Sequence, residues 1–221
     1  MNTALFAYPK QARFGRVVPK NKIYEHAAPS PALKALFVEQ VEQIVWQYKL
    51  APETINLLAK PAVPEIQIFD VTLKTPELDL EVLRCIDKAI PFPIFFQLYQ
   101  NQRVKPIATY KRPNDADSSK WVIDGYFAGD WQALDTPRQP LPVVLDMQGL
   151  YDHLLRQLLP LPARDQEPLK QQIERIALWQ SKHTEYEKLQ ARLNKEKQFN
   201  RKVEINAELR HVKIELDQLS R

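Results

Sequence analysis

The sequence predicts a mixed α+β fold, with a largely antiparallel sheet and packed helices followed by a long C-terminal helical arm. Two observations carry this expectation. From Leu169 to Arg221 there is neither proline nor glycine, whereas all 18 prolines and all four glycines lie before that point. Inside a helix a proline costs about 3 kcal/mol and a glycine about 1 kcal/mol, so their joint absence beside many Leu, Glu, Lys, Arg and Gln marks helix. Upstream, runs rich in β-branched and aromatic residues are interspersed with stretches of helical periodicity, the pattern of an α+β domain. At about 1.5 Å per residue the arm would reach roughly 80 Å unbroken, or half that as a hairpin. Removing it leaves about 160 residues, enough for one core. The expected organisation is a globular domain over residues 1–162 and an arm over 163–221.

The elements follow in order. Ser30 and Pro31 form an N-cap and first-turn pair, and Leu33, Phe37, Val41, Ile44 and Tyr48 recur at helical spacing, which predicts a helix of about four turns. The run PEIQIFDVTLK, with Ile66, Ile68, Phe69, Val71 and Leu73, has the composition of a strand. Glu77 to Ile90 places Leu80, Leu83, Ile86 and Ile90 on one helical face, and Pro91 and Pro93 end it. IFFQLYQ, NQR and VKPIATYKR read as a hairpin around a polar tip, and Pro106 directs its second strand to an edge or a bulge. WVIDGYFAGDW supplies a further strand, 136–142 a proline-rich loop, and 147–159 a helix with Leu150, Leu154, Leu155 and Leu158 in phase. In the arm, Tyr186, Leu189 and Leu193 form one apolar seam, and Ile205, Leu209, Val212, Leu216 and Leu219 form another. Leu193 and Leu209 are two heptads plus two residues apart, so one straight seam cannot serve both. A break between Asn194 and Asn200 reconciles them and favours two helices, folded back on each other or packed on the globular domain, over one free coiled coil.

Composition excludes several classes. A single cysteine, Cys85, rules out an internal disulfide framework. The opening MNTALFAYPK lacks the apolar stretch of a signal peptide, so a cytoplasmic location is expected. The apolar run IPFPIFF at 90–96 is far short of the roughly 20 residues needed to cross a bilayer, which predicts no membrane span. The net charge of +4 is modest, but it is concentrated. Lys10, Arg13, Arg16, Lys20 and Lys22 have no acid among them, and Arg192, Lys195, Lys197, Arg201 and Lys202 face only Glu196.

The segment EKQFNRKVEINAELR at 196–210 is not ordinary solvated-helix filler, because Phe199, Asn200 and Asn206 are poor choices for one. Together with VVPKNKIYE at 17–25, ETINL at 53–57, EIQIF at 65–69 and IDKAIPFPIFF at 86–96, it resembles an uncharacterised prokaryotic family, domain of unknown function 4391. The resemblance spans nearly the whole chain. It implies a neighbourhood of helicases and DNA methyltransferases in restriction-like phage-defence systems, and hence an accessory role beside such a partner. It carries no catalytic residues with it. The family-like positions here are Lys20, Asn56, Glu65, Lys88, Pro91, Phe199, Asn200 and Asn206.

No complete catalytic constellation is visible. Glu65, Asp70 and Lys74 lie on one predicted strand and are the residue types that would hold Mg²⁺ and a water. Yet Thr72 stands where an acid-x-lysine motif needs its carboxylate, and the alternative is a solvent-facing acid and lysine. His26, His153, His183 and His211 offer no zinc motif, and His183 with Glu187 and His211 with Glu215 have the spacing of surface pairs. Cys85 sits in an apolar helical pattern as a buried thiol. The four glycines form no phosphate-cradling loop. No cofactor or metal is expected.

The expectation is therefore a non-catalytic accessory or adaptor subunit docking a larger DNA-processing partner, a helicase or a DNA methyltransferase. Asn200, Val203, Asn206, Leu209 and Arg210 are its candidate contacts. The first alternative is nucleic-acid binding by the runs 10–22 and 192–202, through Arg192, Lys195, Lys197, Arg201 and Lys202 with Phe199 as a stacking surface, helped by Tyr99, Tyr110, Lys111 and Arg112 on the hairpin. The second is a divergent metal-dependent nuclease around Glu65 and Asp70.

Overall fold

The computed structural model describes residues 4–114, 116–117 and 120–221. The chain divides into two compact units, one ending at Leu159 and the other beginning at Pro160. The first unit runs β1 (Phe6–Ala7), a 3₁₀ turn at Lys10–Ala12, β2 (Arg13–Val17), α1 (Lys20–Ala27), α2 (Pro31–Gln40), β3 (Val41–Leu50) and α3 (Pro52–Ile55). It continues with β4 (Ile66–Leu73), α4 (Leu80–Ala89), β5 (Ile94–Gln100), β6 (Arg103–Pro113), β7 (Trp121–Ala128), β8 (Gln132–Ala133), β9 (Gln139–Pro140) and α5 (Met147–Arg156). The second unit holds α6 (Leu169–Lys195) and α7 (Phe199–Ser220).

The main sheet has seven strands in the order β2-β3-β4-β5-β6-β7, with β8 beside β6, and β1 pairs with β9 separately. Its neighbours are antiparallel except β4 and β5, which run parallel and are joined through α4. The fold is mixed α+β and mostly antiparallel, as the sequence predicts.

Adjacent residues of a strand point to opposite faces, so the sheet builds two layers of packing. On one face Phe69 and Val71 of β4 and Phe96 and Leu98 of β5 meet Leu83 and Ile86 of α4, Ile23 of α1 and Phe37 of α2, all buried. Each fully buried side chain of this size contributes about 1.5–3 kcal/mol. On the other face Phe95 meets Tyr151 of α5 edge-on with centroids 6.0 Å apart, and Tyr110 stacks on the same ring at 6.4 Å.

The helix predicted from Ser30 onward is only half right. The Ser30 hydroxyl accepts from Leu33 N at 3.2 Å, as an N-cap should, but the helix ends at Gln40 and Val41–Leu50 is a strand. The register of β3 shifts between Val41 and Gln43 and again between Trp46 and Tyr48. Each bulge inserts one extra residue, so inward positions such as Val41 and Ile44 fall three apart and imitate a helical stripe. Pro106 is a second correction, because β6 is an interior strand paired through Pro106 to Gln97 of β5. The Pro106 carbonyl accepts from Gly129 N at 2.9 Å, just past the end of β7. In an antiparallel strand a residue's N and C=O share a side, so the missing N–H falls in the gap between β7 and β8, a local edge.

In the second unit α6 and α7 pack antiparallel, with Lys182 of one 2.8 Å from Glu215 of the other. The break expected between Asn194 and Asn200 is the turn at 196–198, where the Glu196 carboxylate accepts from Lys197 N at 2.7 Å and Gln198 N at 2.9 Å. Ile205, Leu209 and Val212 are buried along α7, and Tyr186, Leu189 and Leu193 are half-buried along α6. At the base, Arg175 is 2.8 Å from both Glu167 carboxylate oxygens and donates to Leu219 O at 2.6 Å and Pro162 O at 2.7 Å. One guanidinium thereby ties the entering segment, the start of α6 and the last carbonyls of α7 together.

Candidate functional site

The second unit gathers most of the candidate residues. Arg192 and Lys195 lie in the last turn of α6, Lys197 in the connecting turn, and Phe199, Arg201 and Lys202 in the first turn of α7. All six are solvent-exposed, Phe199 to 77%. Among the described residues no side chain caps α7 at Gln198, so the first amides of that helix, with their partial positive charge, share the turn with five cations. Glu196 is the only acid of this segment, and it caps the turn.

Of the candidate partner contacts, Asn200, Val203, Asn206 and Arg210 are exposed, whereas Leu209 is buried in the hairpin. At 3.6 residues per turn, positions 199, 203, 207, 210 and 214 fall within a sector of about 80° on α7. Along it Phe199, Val203 and Ile214 expose 77%, 54% and 56% of their surface, flanked by Asn200 and Asn206. Helical phase predicted the inward seam but not this second stripe, because Phe199, Val203 and Ile214 sit among Lys, Asn and Arg.

The basic run 10–22 is not one patch. It is spread over the 3₁₀ turn, the edge strand β2 and α1. Lys20 donates to Phe37 O at 2.8 Å and also to Val41 O, closing the C-terminus of α2, and Lys22 pairs with Glu25 at 2.8 Å. Lys20 thus holds the fold together. So does Asn56, which takes the left-handed conformation (φ 53°) that ends α3, a position where asparagine is tolerated best after glycine. Lys88 is exposed in the last turn of α4 and Pro91 follows it.

Tyr110 and Lys111, expected to give the hairpin an outward basic and aromatic surface, are both buried. The Lys111 ammonium donates to Asp87 O at 2.6 Å and to Ile90 O, capping α4, and lies 3.3 Å from the Asp87 carboxylate, which also accepts from Tyr126. Burial draws the Lys111 ammonium below its usual pKa and pushes the Asp87 carboxyl above its own.

The nuclease residues are not brought together. Glu65 precedes β4 and pairs with Lys49 at 3.4 Å, while Lys74 lies beyond the other end of the strand and donates to Val38 O. Asp70 is roughly 16 Å from Glu65 along the strand and points to the opposite face. There it joins a cluster that the sequence did not announce: Gln97 donates to Asp70 at 3.1 Å, and Arg138 donates to Gln97 Oε1 at 2.6 Å and Tyr99 at 3.3 Å. Burial pushes the Asp70 carboxyl up to about 6, with Arg138 and the Tyr99 hydroxyl acting against it. Burial lifts Tyr99 to about 12 and Tyr8 higher still. Only the register Asp70↔Gln97 and a loop residue far along the chain create this cluster, so no local motif signals it. Among the described residues no group of three metal-ligating side chains converges. His183–Glu187 and His211–Glu215 are surface contacts at 3.6 and 3.8 Å, and Cys85 is buried, which pushes its thiol pKa up.

A family profile described as "Domain of unknown function (DUF4391)" matches residues 6–216, and the chain belongs to that family. No curated protein and no solved structure matches it. Among the described residues no helix is long and apolar enough to cross a membrane.

Proposed function

We propose that the chain is a non-catalytic accessory subunit that docks a larger DNA-processing partner through the outer face of α7. The observation that carries this reading is the stripe of Phe199, Val203 and Ile214, three large apolar side chains left exposed on a helix whose inner face is already buried. A solvated helix gains nothing from such a stripe, whereas a groove on a partner would cover it. Asn200 and Asn206 flank the stripe as a polar rim, and Arg210 stands within it between Phe199 and Val203 in helical phase. The class of partner proposed, a helicase or a DNA methyltransferase of a restriction-like defence system, is the one the family resemblance implies. Affinity purification of the tagged chain from its host should recover such a partner, and Val203→Asp with Ile214→Asp should lose it while leaving the fold's circular dichroism intact. Recovery of the same partner by the double variant would defeat the proposal.

A second reading, direct nucleic-acid binding at the hairpin turn, is favoured by the five exposed cations beside an uncapped helix start and the exposed Phe199 ring. If all five neutralised B-DNA phosphates, affinity would fall with salt at a log-log slope approaching roughly −4.5, from about −0.9 per phosphate. Changing Lys195, Lys197, Arg201 and Lys202 to Gln would flatten that slope for unrelated sequences alike, and Phe199→Ala would weaken chiefly single strands. Absence of salt-sensitive binding at low ionic strength would leave the docking reading alone.

A further inference from the structure

The path of the main sheet ends on β2 at one side and on β7 at the other, and the two edges differ in kind. β2 is five residues long, exposes Arg13 and Arg16, and contains Gly15 at φ 64°. Shortness, charge and an irregular backbone keep an edge from pairing with another chain. β7 has eight residues, WVIDGYFA, and Asp124 is its only charge. Its one irregularity is central: Thr109 and Lys111 of β6 pair with Tyr126 and Ile123, so the extra residue of β7 lies at Asp124–Gly125. Two hydrogen bonds fix which peptides of β7 face outward. Asn114 N donates to Lys120 O at 2.8 Å before the strand, and Gly129 N to Pro106 O at 2.9 Å after it. Because bonded and non-bonded pairs alternate in an antiparallel ladder, Trp121, Ile123, Tyr126 and Ala128 turn their N–H and C=O away from β6. Among the described residues these outward groups have no partner. The carbonyls between them, of Asp124 and Gly125, accept from the Thr109 hydroxyl at 3.0 and 3.1 Å.

We propose that β7 is a self-association edge, at which two copies of the chain pair antiparallel about a twofold axis between Asp124 and Gly125. The outward positions carry this choice of partner. Trp121 and Ala128 are equidistant from that point, and so are Ile123 and Tyr126, so the edge is complementary to itself, bulge included; a strand from another protein would not require that symmetry. Ile123 then meets the second copy's Tyr126 and Trp121 its Ala128, each pair exchanging two N–H···O bonds and each occurring twice about the axis. The side chains suit this register. Ile123 with Tyr126 and Val122 with Phe127 are β-branched and aromatic pairs, and bulky Trp121 falls opposite a small Ala128. Asp124 falls opposite Gly125 and not opposite its own copy, so like charges do not meet. Gly125 is exposed, and a Cβ added there would meet nothing within 4 Å, which leaves the centre of the edge open to a second chain. The edge belongs to the first unit and does not involve the α7 face.

Sedimentation equilibrium of the full chain tests this. A contact confined to one strand lies at the small end of protein interfaces, so the mass should rise from 25.8 kDa toward twice that value between about 10 μM and about 500 μM. Gly125→Asp sets an acid opposite Asp124 at two places and should weaken association about fivefold, whereas Gly125→Lys should strengthen it by a similar factor. Ala128→Pro, at an exposed position, removes an outward N–H and should abolish pairing. Val203→Asp with Ile214→Asp should leave it unchanged. In the unaltered chain the amides of Ile123, Tyr126 and Ala128 should exchange more slowly at the higher concentration. A chain that stays monomeric up to about 500 μM would overturn the proposal, since strand pairing of this kind is expected below that concentration. So would a dimer on which Gly125→Asp and Gly125→Lys act alike, or one lost through Val203 and Ile214.

Discussion

Residue by residue, the polar groups most important to the fold are those the sequence made look ordinary. Lys111 reads as one more basic hairpin residue, yet its side chain is fully buried and caps α4 opposite Asp87. Removing one partner of a buried pair strands the other charge, so Lys111→Ala should cost about 3–5 kcal/mol. The double change Asp87→Asn with Lys111→Met should cost less than the sum of its parts, as urea denaturation of the four-member cycle will show. The β5–β6 hairpin turns through Asn101 (φ 46°) and Gln102 (φ 60°), both in the left-handed region. Asparagine suits the first position of such a turn and glycine the second, so Gln102→Gly should raise stability by roughly 1 kcal/mol, read as a higher urea midpoint. Asp70 gives the pH dependence its sign. Folded, it holds its proton up to about 6; unfolded, it titrates near 3.9. Between those values the native state binds more protons, so stability falls as pH rises toward 6 and is level above. Going from pH 7 to pH 5, Asp70 should therefore contribute roughly 1 kcal/mol of added stability, and Asp70→Asn should remove that part of the gain while leaving whatever the likewise raised Asp87 and Asp152 carboxyls contribute.

Among the elements, the hairpin of the second unit concentrates its electrostatics at one guanidinium. Arg175 holds the Glu167 carboxyl down to about 2, a depressed acid whose stabilisation is present near neutrality and is lost as pH falls from about 4.3 toward 2. Arg175→Leu should remove that dependence and release the last turn of α7, because Leu219 O loses its donor. Hydrogen exchange should then show faster amides in the first turns of α6 and the last turn of α7, with the buried positions around Ile205 to Val212 unchanged. Elements with a strong local signal were legible in the sequence: β4 and the β5–β6 hairpin as β-branched and aromatic runs around turn residues, and α4 and the paired arm helices as apolar repeats of about 3.6 residues. The Val41–Leu50 strand was not, since its two bulges convert alternation into helix-like spacing, and Pro106 misled because the end of the neighbouring strand is invisible locally.

For the whole molecule, the division at Leu159 and Pro160 predicts that residues 1–162 fold without the helical hairpin, unfold cooperatively and lose the partner. Thermal unfolding and a pull-down of that fragment check it, and a fragment that aggregates would make the hairpin part of the core. The sequence by itself determined the fold class, the proline-free helical arm with its break, and the basic cluster at 192–202, because all of these are set by local propensity and charge along the chain. It also carried the family-like segments that place the chain in its family. Tertiary structure alone decided which of those residues remain available. Closing the hairpin removed Leu209 from the candidate surface and left Phe199, Val203 and Ile214 outside, while strand register joined Asp70 to Gln97 and burial turned Lys111 inward. Each of these depends on contacts between residues distant in sequence, and periodicity along the chain does not encode the partner that a side chain will meet.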